Sequence, residues 1–307
     1  MADRRAPGAG VAAPARRDAS AGRPGRLAGA GGPDPGTTQL EGRHPVLEAL
    51  RAGRPLRKLV VSRAAAGSAA LREVIAEARR RGVPVHEVSP DVLARLARTR
   101  TPQGVIAYAA VRETVDVDAL LEIARSRGEA PFVVVLDGVE DPGNLGAILR
   151  AADATGVHGV VIPRWRAVGL TPAVAAASAG AVEYVAVAAA ASPAQVVERL
   201  KRAGLWVVGA DPAAAQVLYE APLRPPIAVV IGGEGRGLSR LVRERCDLLV
   251  RIPMYGRVAS LNAAVAAALV LYEVRRQMRQ AAPAPAGGSL PVGAGAGTTA
   301  SAAAPRA

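Results

Sequence analysis

Short apolar runs alternate with stretches of helical spacing between residues 39 and 280. Lys58–Ser62, Val83–Val88 and Val105–Val111 read as strands. Ala69–Arg81 places Leu71, Val74, Ile75 and Ala78 on one helical face. Pro45 to Leu50 opens a short helix, and Ser89-Pro90 starts another, with Ser89 as N-cap and Pro90 in its first turn. Residues 39–112 thus form a small α/β domain, and 113–130 a linker with a helix. Further on, Phe132–Leu136, Gly159–Ile162, Tyr184–Val187, Leu205–Val208, Ile227–Ile231 and Leu248–Ile252 are continuous apolar runs. Such runs suit strands covered on both faces, hence a parallel sheet. The helical stretches between and after them are Leu145–Ala154, Pro172–Ala179, Ala194–Ala203, Ser239–Arg245 and Leu261–Arg279. This alternation predicts βαβ units over 131–280. No internal repeat is evident.

Composition changes the picture at the ends. About a third of residues 1–38 and of residues 281–307 are Gly or Pro without a period, which reads as a disordered basic arm and a disordered tail. The remainder is rich enough in apolar residues, at 50% for the whole chain, to bury a core. One cysteine, Cys246, excludes a disulfide framework and a cysteine-based zinc site, and three scattered histidines make no metal site, so no metal is expected. Glu183 interrupts the longest apolar stretch, near 173–191, and no secretory signal follows Arg4 and Arg5. A soluble cytoplasmic protein with no membrane partner is expected.

The formal net charge is +13, spread over both folded segments and the arm, which carries six Arg against three Asp. A polyanion, most simply nucleic acid, fits this excess. Only Lys58 and Lys201 of the 39 basic residues are lysine, so coding bias explains the residue type better than the surplus. The same bias makes two survivors informative. Asn144 and Asn262 are the only asparagines of the folded region, and each stands before or within a helix start. Each suits either an N-cap or chemistry.

Three motifs lie at strand-to-helix junctions. Asp137-Gly138-Val139-Glu140-Asp141-Pro142-Gly143-Asn144-Leu145-Gly146 leads to Arg150. It puts backbone N–H groups at a helix start on the C-terminal edge of the sheet, where α/β ligands bind. It is neither the dinucleotide GxGxxG nor a P-loop. Gly232-Gly233-Glu234-Gly235-Arg236-Gly237 packs four glycines into six positions, which permits close backbone approach to a ligand or another chain. Ile252-Pro253-Met254 and Ser260-Leu261-Asn262 then precede an Ala/Val-rich helix, and Ser260 is a second candidate cap.

Asn144-Leu145-Gly146-Ala147-Ile148-Leu149-Arg150, Gly232-Gly233-Glu234-Gly235, Ile252-Pro253-Met254 and Ser260-Leu261-Asn262 resemble, in order and spacing, the three motifs of the SpoU (TrmH) class of RNA ribose 2′-O-methyltransferases. Residues 39–112 are similar to the substrate-binding domain of that class, and the layout most resembles its 23S rRNA guanosine subgroup. The resemblance implies a C-terminal α/β domain of the SPOUT type with a trefoil knot. It implies S-adenosylmethionine as cofactor, with Gly232, Ile252 and Leu261 lining the adenosine pocket. It also implies a homodimer using the last helix, and structured RNA rather than DNA as partner.

The implied catalytic set is Arg150, Asn144, Glu234, Ser260 and Asn262. A ribose hydroxyl must lose or share its proton, whereas a sulfonium methyl is already activated. Guanidinium keeps its proton, so Arg150 is expected to clamp phosphate and stabilise the developing alkoxide, with the other four orienting it, the ribose and the loop. A tRNA or adenosine-rRNA target, and a non-catalytic RNA-binding module, stay open as alternatives. A dinucleotide oxidoreductase lacks its glycine fingerprint. Trp165 and Tyr184 are candidates to stack on bases, while Trp206, in a strand pattern, is expected in the core.

Overall fold

The computed structural model describes residues 36–165 and 167–281. The expectations of a disordered arm and tail lie outside these, except that residues 37 and 38 belong to a strand and Ala281 to a helix. Two sheets form. The first has four strands, β1 (Thr37–Glu41), β2 (Leu56–Ser62), β3 (Val85–Val88) and β4 (Val105–Ala110), in the order β1-β4-β2-β3. Strand β4 is antiparallel to β1 and β2, and β2 is parallel to β3. Three helices accompany it: α1 (Arg43–Arg51), α2 (Ala69–Arg80) and α3 (Pro90–Leu96).

Period-two alternation divides the side chains of this sheet. Leu59, Val61, Val105, Ala107 and Ala109 face the core shared with Val46 and Leu50 of α1 and Leu71, Val74 and Ala78 of α2. Val60, Ile106 and Tyr108 face the other way, against Val88 and Leu93. The spacing that predicted α2 is therefore the face it buries. Ser68 caps α2 by accepting from the Leu71 amide. Ser89 occupies the N-cap position of α3, but its side chain makes no capping bond.

The second sheet is parallel throughout. Its strands are β5 (Phe132–Asp137), β6 (Gly159–Pro163), β7 (Val187–Ala190), β8 (Trp206–Ala210), β9 (Gln216–Val217), β10 (Ile227–Gly232) and β11 (Leu248–Arg251). The order is β7-β6-β5-β10-β8-β11-β9. Both faces are covered, as continuous apolar strands require. Phe132, Val134, Leu136, Val229 and Ile231 pack with α5 (Pro142–Thr155) and α9 (Ala263–Ala281), beside α6 (Pro172–Ala177). Val133, Val135, Ala228 and Val230 pack with α4 (Val117–Ser126), α7 (Pro193–Arg202) and α8 (Arg240–Arg245). Among the described residues no helix is long and apolar enough to cross a membrane.

Sequence and structure part at three places. The strand expected over Tyr184–Val187 begins only at Val187. Gly180, at φ 94°, turns the chain into one 3-10 turn at Ala181–Glu183, which buries Val182 and Val185 before the strand starts. Trp206 is not core. As the first residue of β8 it stands at the N-terminal rim of the sheet and is 45% exposed. Strands β1 and β9 carry too little apolar pattern to stand out: β9 is two residues long, and β1 buries Gln39 and Glu41. The helix expected within residues 113–130 is α4, and its Val117, Leu120 and Ala124 are buried against the second sheet.

The two sheets meet through a buried ion pair. Arg54 Nη1 donates to Glu183 Oε1 at 2.6 Å, and Arg112 Nη1 lies 3.6 Å from Glu183 Oε2. Arg54 also binds the Ala110 carbonyl through Nε and Nη2. Arg112 sits below its ordinary basicity, first because burial disfavours its charge, with Glu183 acting against that. Nearby, the Tyr184 hydroxyl donates to Glu48 of α1, and burial with this bond pushes the phenol up to about 12.

Candidate active site

The strand order dictates where a site can form. From β5 the chain crosses to β6 on the α5 face, whereas from β10 it crosses to β11 by way of α8 on the opposite face. Strands β5 and β10 are neighbours, so their outgoing loops diverge and leave a crevice at the carboxyl ends, a topological switch point. Asp137 and Gly232 are register partners at that edge. The first two sequence motifs are the loops that leave these two residues.

The glycine density of the second loop follows from its packing. A Cβ on Gly232 would lie 2.2 Å from the Gly237 carbonyl carbon, and one on Gly233 would lie 2.0 Å from the Gly138 carbonyl oxygen. Gly235 and Gly237 instead occupy the left-handed region, at φ 77° and 60°. The loop is held to the first motif by two bonds: the Gly233 amide donates to the Asp137 carbonyl and the Ser239 amide to Asp137 Oδ2.

The two asparagines take different parts. Asp141, not Asn144, caps α5, by accepting from the Asn144 amide at 2.8 Å, with Pro142 opening the helix. This frees the Asn144 side chain. Its Nδ2 donates to Glu234 Oε1 at 2.8 Å, and its Oδ1 accepts from Asn262 Nδ2 at 2.8 Å. Asn262 Nδ2 donates to Glu234 Oε1 as well, also at 2.8 Å. Asn262 Oδ1 meanwhile accepts from the amides of Ala264 and Val265, so Asn262 and not Ser260 covers the start of α9. The result is a closed triangle of two amides and one carboxylate, drawn from the first turn of α5, the loop after β10 and the start of α9. Glu234 lies between the starts of α5 and α9, where helix dipoles favour a negative charge.

Beside the triangle is a cavity of about 430 Å³, within the roughly 300–1,000 Å³ of small-molecule sites. Gly232, Ile252 and Leu261 line it, as do Glu234, Ser260 and Asn262. Ile231, Val250, Met254 and Ala266 add apolar wall, and Asp211 a carboxylate. Asp211 was not singled out in the sequence, although its position just past a predicted strand was a signal. It accepts from the Ala213 amide and pairs with Arg243. A flat heterocycle with polar edges suits such a lining. Among the described residues no cluster of His, Cys, Asp or Glu is placed to hold a metal ion.

Residues 131–272 match the SpoU rRNA methylase family, and residues 39–115 match the RNA 2′-O ribose methyltransferase substrate-binding family. YacO of Bacillus subtilis (strain 168), assigned to the TrmH family of tRNA/rRNA methyltransferases, is 44% identical over 77% of this chain and 94% of its own. The chain belongs to the SpoU (TrmH) family of RNA methyltransferases.

Solved structures agree. The SpoU methyltransferase AviRb from Streptomyces viridochromogenes, in complex with AdoMet, is 30% identical with a TM-score of 0.65, over 79% of this chain and 90% of that one. An AdoMet-bound rRNA methyltransferase from Sinorhizobium meliloti is 29% identical with a TM-score of 0.64, over 78% and 87%. In this SpoU-family chain Arg150 stands apart from the triangle. It is exposed on α5, and its side chain makes no hydrogen bond or ion pair with any described residue. Six residues of α-helix turn it by about 240° from Asn144.

Proposed function

We propose that this protein methylates the 2′-hydroxyl of a ribose in structured RNA, a guanosine of 23S rRNA, using S-adenosylmethionine. The carrying observation is the 430 Å³ cavity at the switch point, bordered on one side by Glu234 and Asn262, which Asn144 holds in place. Gly232, Ile252 and Leu261 would hold the cofactor, and it supplies an activated methyl. The chain's own residues do the rest. Asn144 and Asn262 hold the Glu234 loop in one position, so that donor and acceptor stay in line. Ser260 borders the reacting region, and Arg150, whose side chain has no partner among the described residues, clamps a target phosphate and stabilises the developing alkoxide.

A homodimer fits the surface. Val265, Leu269 and Tyr272 form an exposed i, i+4, i+7 stripe on α9, 37–55% exposed, and Tyr255 and Val258 in the preceding loop are exposed as well. A second copy seated there would cover this stripe beside the start of α9. The trefoil knot implied by the motifs belongs to the same reading, with residues 232–281 as the segment that forms it. So does cytoplasmic rRNA processing.

The test is methyl transfer to total RNA from cells lacking the gene, followed by mapping of 2′-O-methyl positions with and without the protein. One 23S guanosine restored by wild type and not by Arg150→Ala is the expected result. A restored tRNA or adenosine position would overturn the target, and no restored position would overturn the reaction.

A further inference from the structure

A second cavity, of about 590 Å³, lies against the first. The loops after β5, β6, β7 and β10 line it, so it too opens at the carboxyl edge of the sheet. Gly233, Glu234, Gly237 and Ala263 line both cavities, and Asn144 faces only the second. The triangle is therefore a partition between two chambers. If the donor occupies one, the acceptor has to reach the methyl from the other.

Among the described residues, the side chains of Trp165, Glu140 and Arg236 line the second chamber without a partner. Trp165 follows β6 and is 69% exposed. Its burial contributes little to the fold, so packing does not explain a large aromatic there. Asp137, Asp141 and Glu234 line the same space, but each already accepts backbone or amide hydrogens. Glu140 is thus the one uncommitted carboxylate. A free indole face, a free acceptor and a free guanidinium match the base, the donor edge and the phosphate of one nucleotide.

We propose that this second chamber receives the target nucleoside extruded from the RNA, with the Trp165 indole stacked on its base. The inference rests on the proposed reaction and adds the residue that grips the acceptor. Stacking on one aromatic supports an effect of about 5- to 150-fold on binding. Glu140 facing the same base favours one that presents N–H donors, as guanine does.

The experiment uses the full chain and total RNA from cells lacking the gene. Trp165→Ala raises KM for RNA about tenfold with kcat nearly unchanged and with the calorimetric affinity for S-adenosylmethionine unchanged, and Trp165→Phe restores KM. In a Trp206→Phe background Trp165 is the sole tryptophan, and its fluorescence is quenched as that RNA is added. An unchanged KM in Trp165→Ala, a parallel loss of cofactor affinity, or no quenching overturns the stacking role. Wild type that transfers no methyl to any RNA overturns instead the reaction on which the inference rests.

Discussion

The two sheets spend their polar residues differently. In the first, Glu41 is buried and fully occupied, accepting from the amides of Arg98 and Thr99, the Thr99 hydroxyl and Gln39. These bonds tie loops to a strand and leave nothing turned toward a ligand. In the second, Glu234 is held by two asparagine amides at the wall between two cavities, with glycine backbone packed against glycine backbone beneath it. A carboxylate held this way positions a loop without closing the space beside it. The contrast teaches that topology, not residue type, separates a structural acid from a candidate site acid. Parallel strands with diverging crossovers leave a crevice, and the mixed sheet, covered by its own helices, does not.

The largest effect is expected where the two regions meet. Glu183→Ala strands Arg54 and Arg112 without their counter-charge, and a loss of about 3–5 kcal/mol on chemical denaturation is expected. A loss under about 1 kcal/mol would mean that water or another acceptor replaces the carboxylate. Glycines sharpen the comparison next. Gly233→Ala pushes a methyl into the Gly138 carbonyl, so destabilisation of about 1–3 kcal/mol and a collapse of methyl transfer are expected. Gly67→Ala, in the first region and in open space, stays within about 0.5 kcal/mol of wild type. Equal effects in the two would erase the distinction.

Asn144→Ala leaves the cap of α5 intact, because Asp141 provides it. It is expected to lower kcat by about 10²-fold through a misplaced Glu234 loop, with a melting temperature close to wild type. A large fall in stability with normal kcat would return Asn144 to a structural role.

The smallest effect is a pH dependence. His158 is buried, its Nδ1 accepts from the Phe132 amide at 3.0 Å, and its Nε2 lies 3.1 Å from Glu129. Burial holds its basicity below the usual value near 6.5, with Glu129 opposing. The unfolded chain therefore binds the proton first. The contribution of neutral His158 is complete above pH 6.5 and declines as the pH falls toward its depressed folded value. Melting temperature against pH should show this slope below 6.5 in wild type and lack it in His158→Asn. A slope of opposite sign would mean that the Glu129 pairing outweighs burial.

Much of the frame was legible in the chain. Period-two and helical spacings placed α2, β2 and the core strands of the parallel sheet, because both periods report local geometry. The glycine runs located the crevice, because few other residues tolerate such approach. The division of labour between the asparagines was not legible. Asn144 meets Glu234 across 90 residues and Asn262 across 118, and nothing local distinguishes a cap from a bridge. Trp206 and Tyr184 misled for a related reason. A strand-like run shows apolar content, but whether its end lies at a rim or follows a turn is set by neighbours distant in sequence.

Isothermal titration with S-adenosylmethionine tests the central claim most directly, comparing wild type with Leu261→Trp. Leu261 is partly exposed at the cavity wall, so the larger side chain fills the space without disturbing the core. The account predicts one bound cofactor per wild-type chain and none in a folded Leu261→Trp chain. Binding of equal affinity in both, or no heat with wild type, would contradict it.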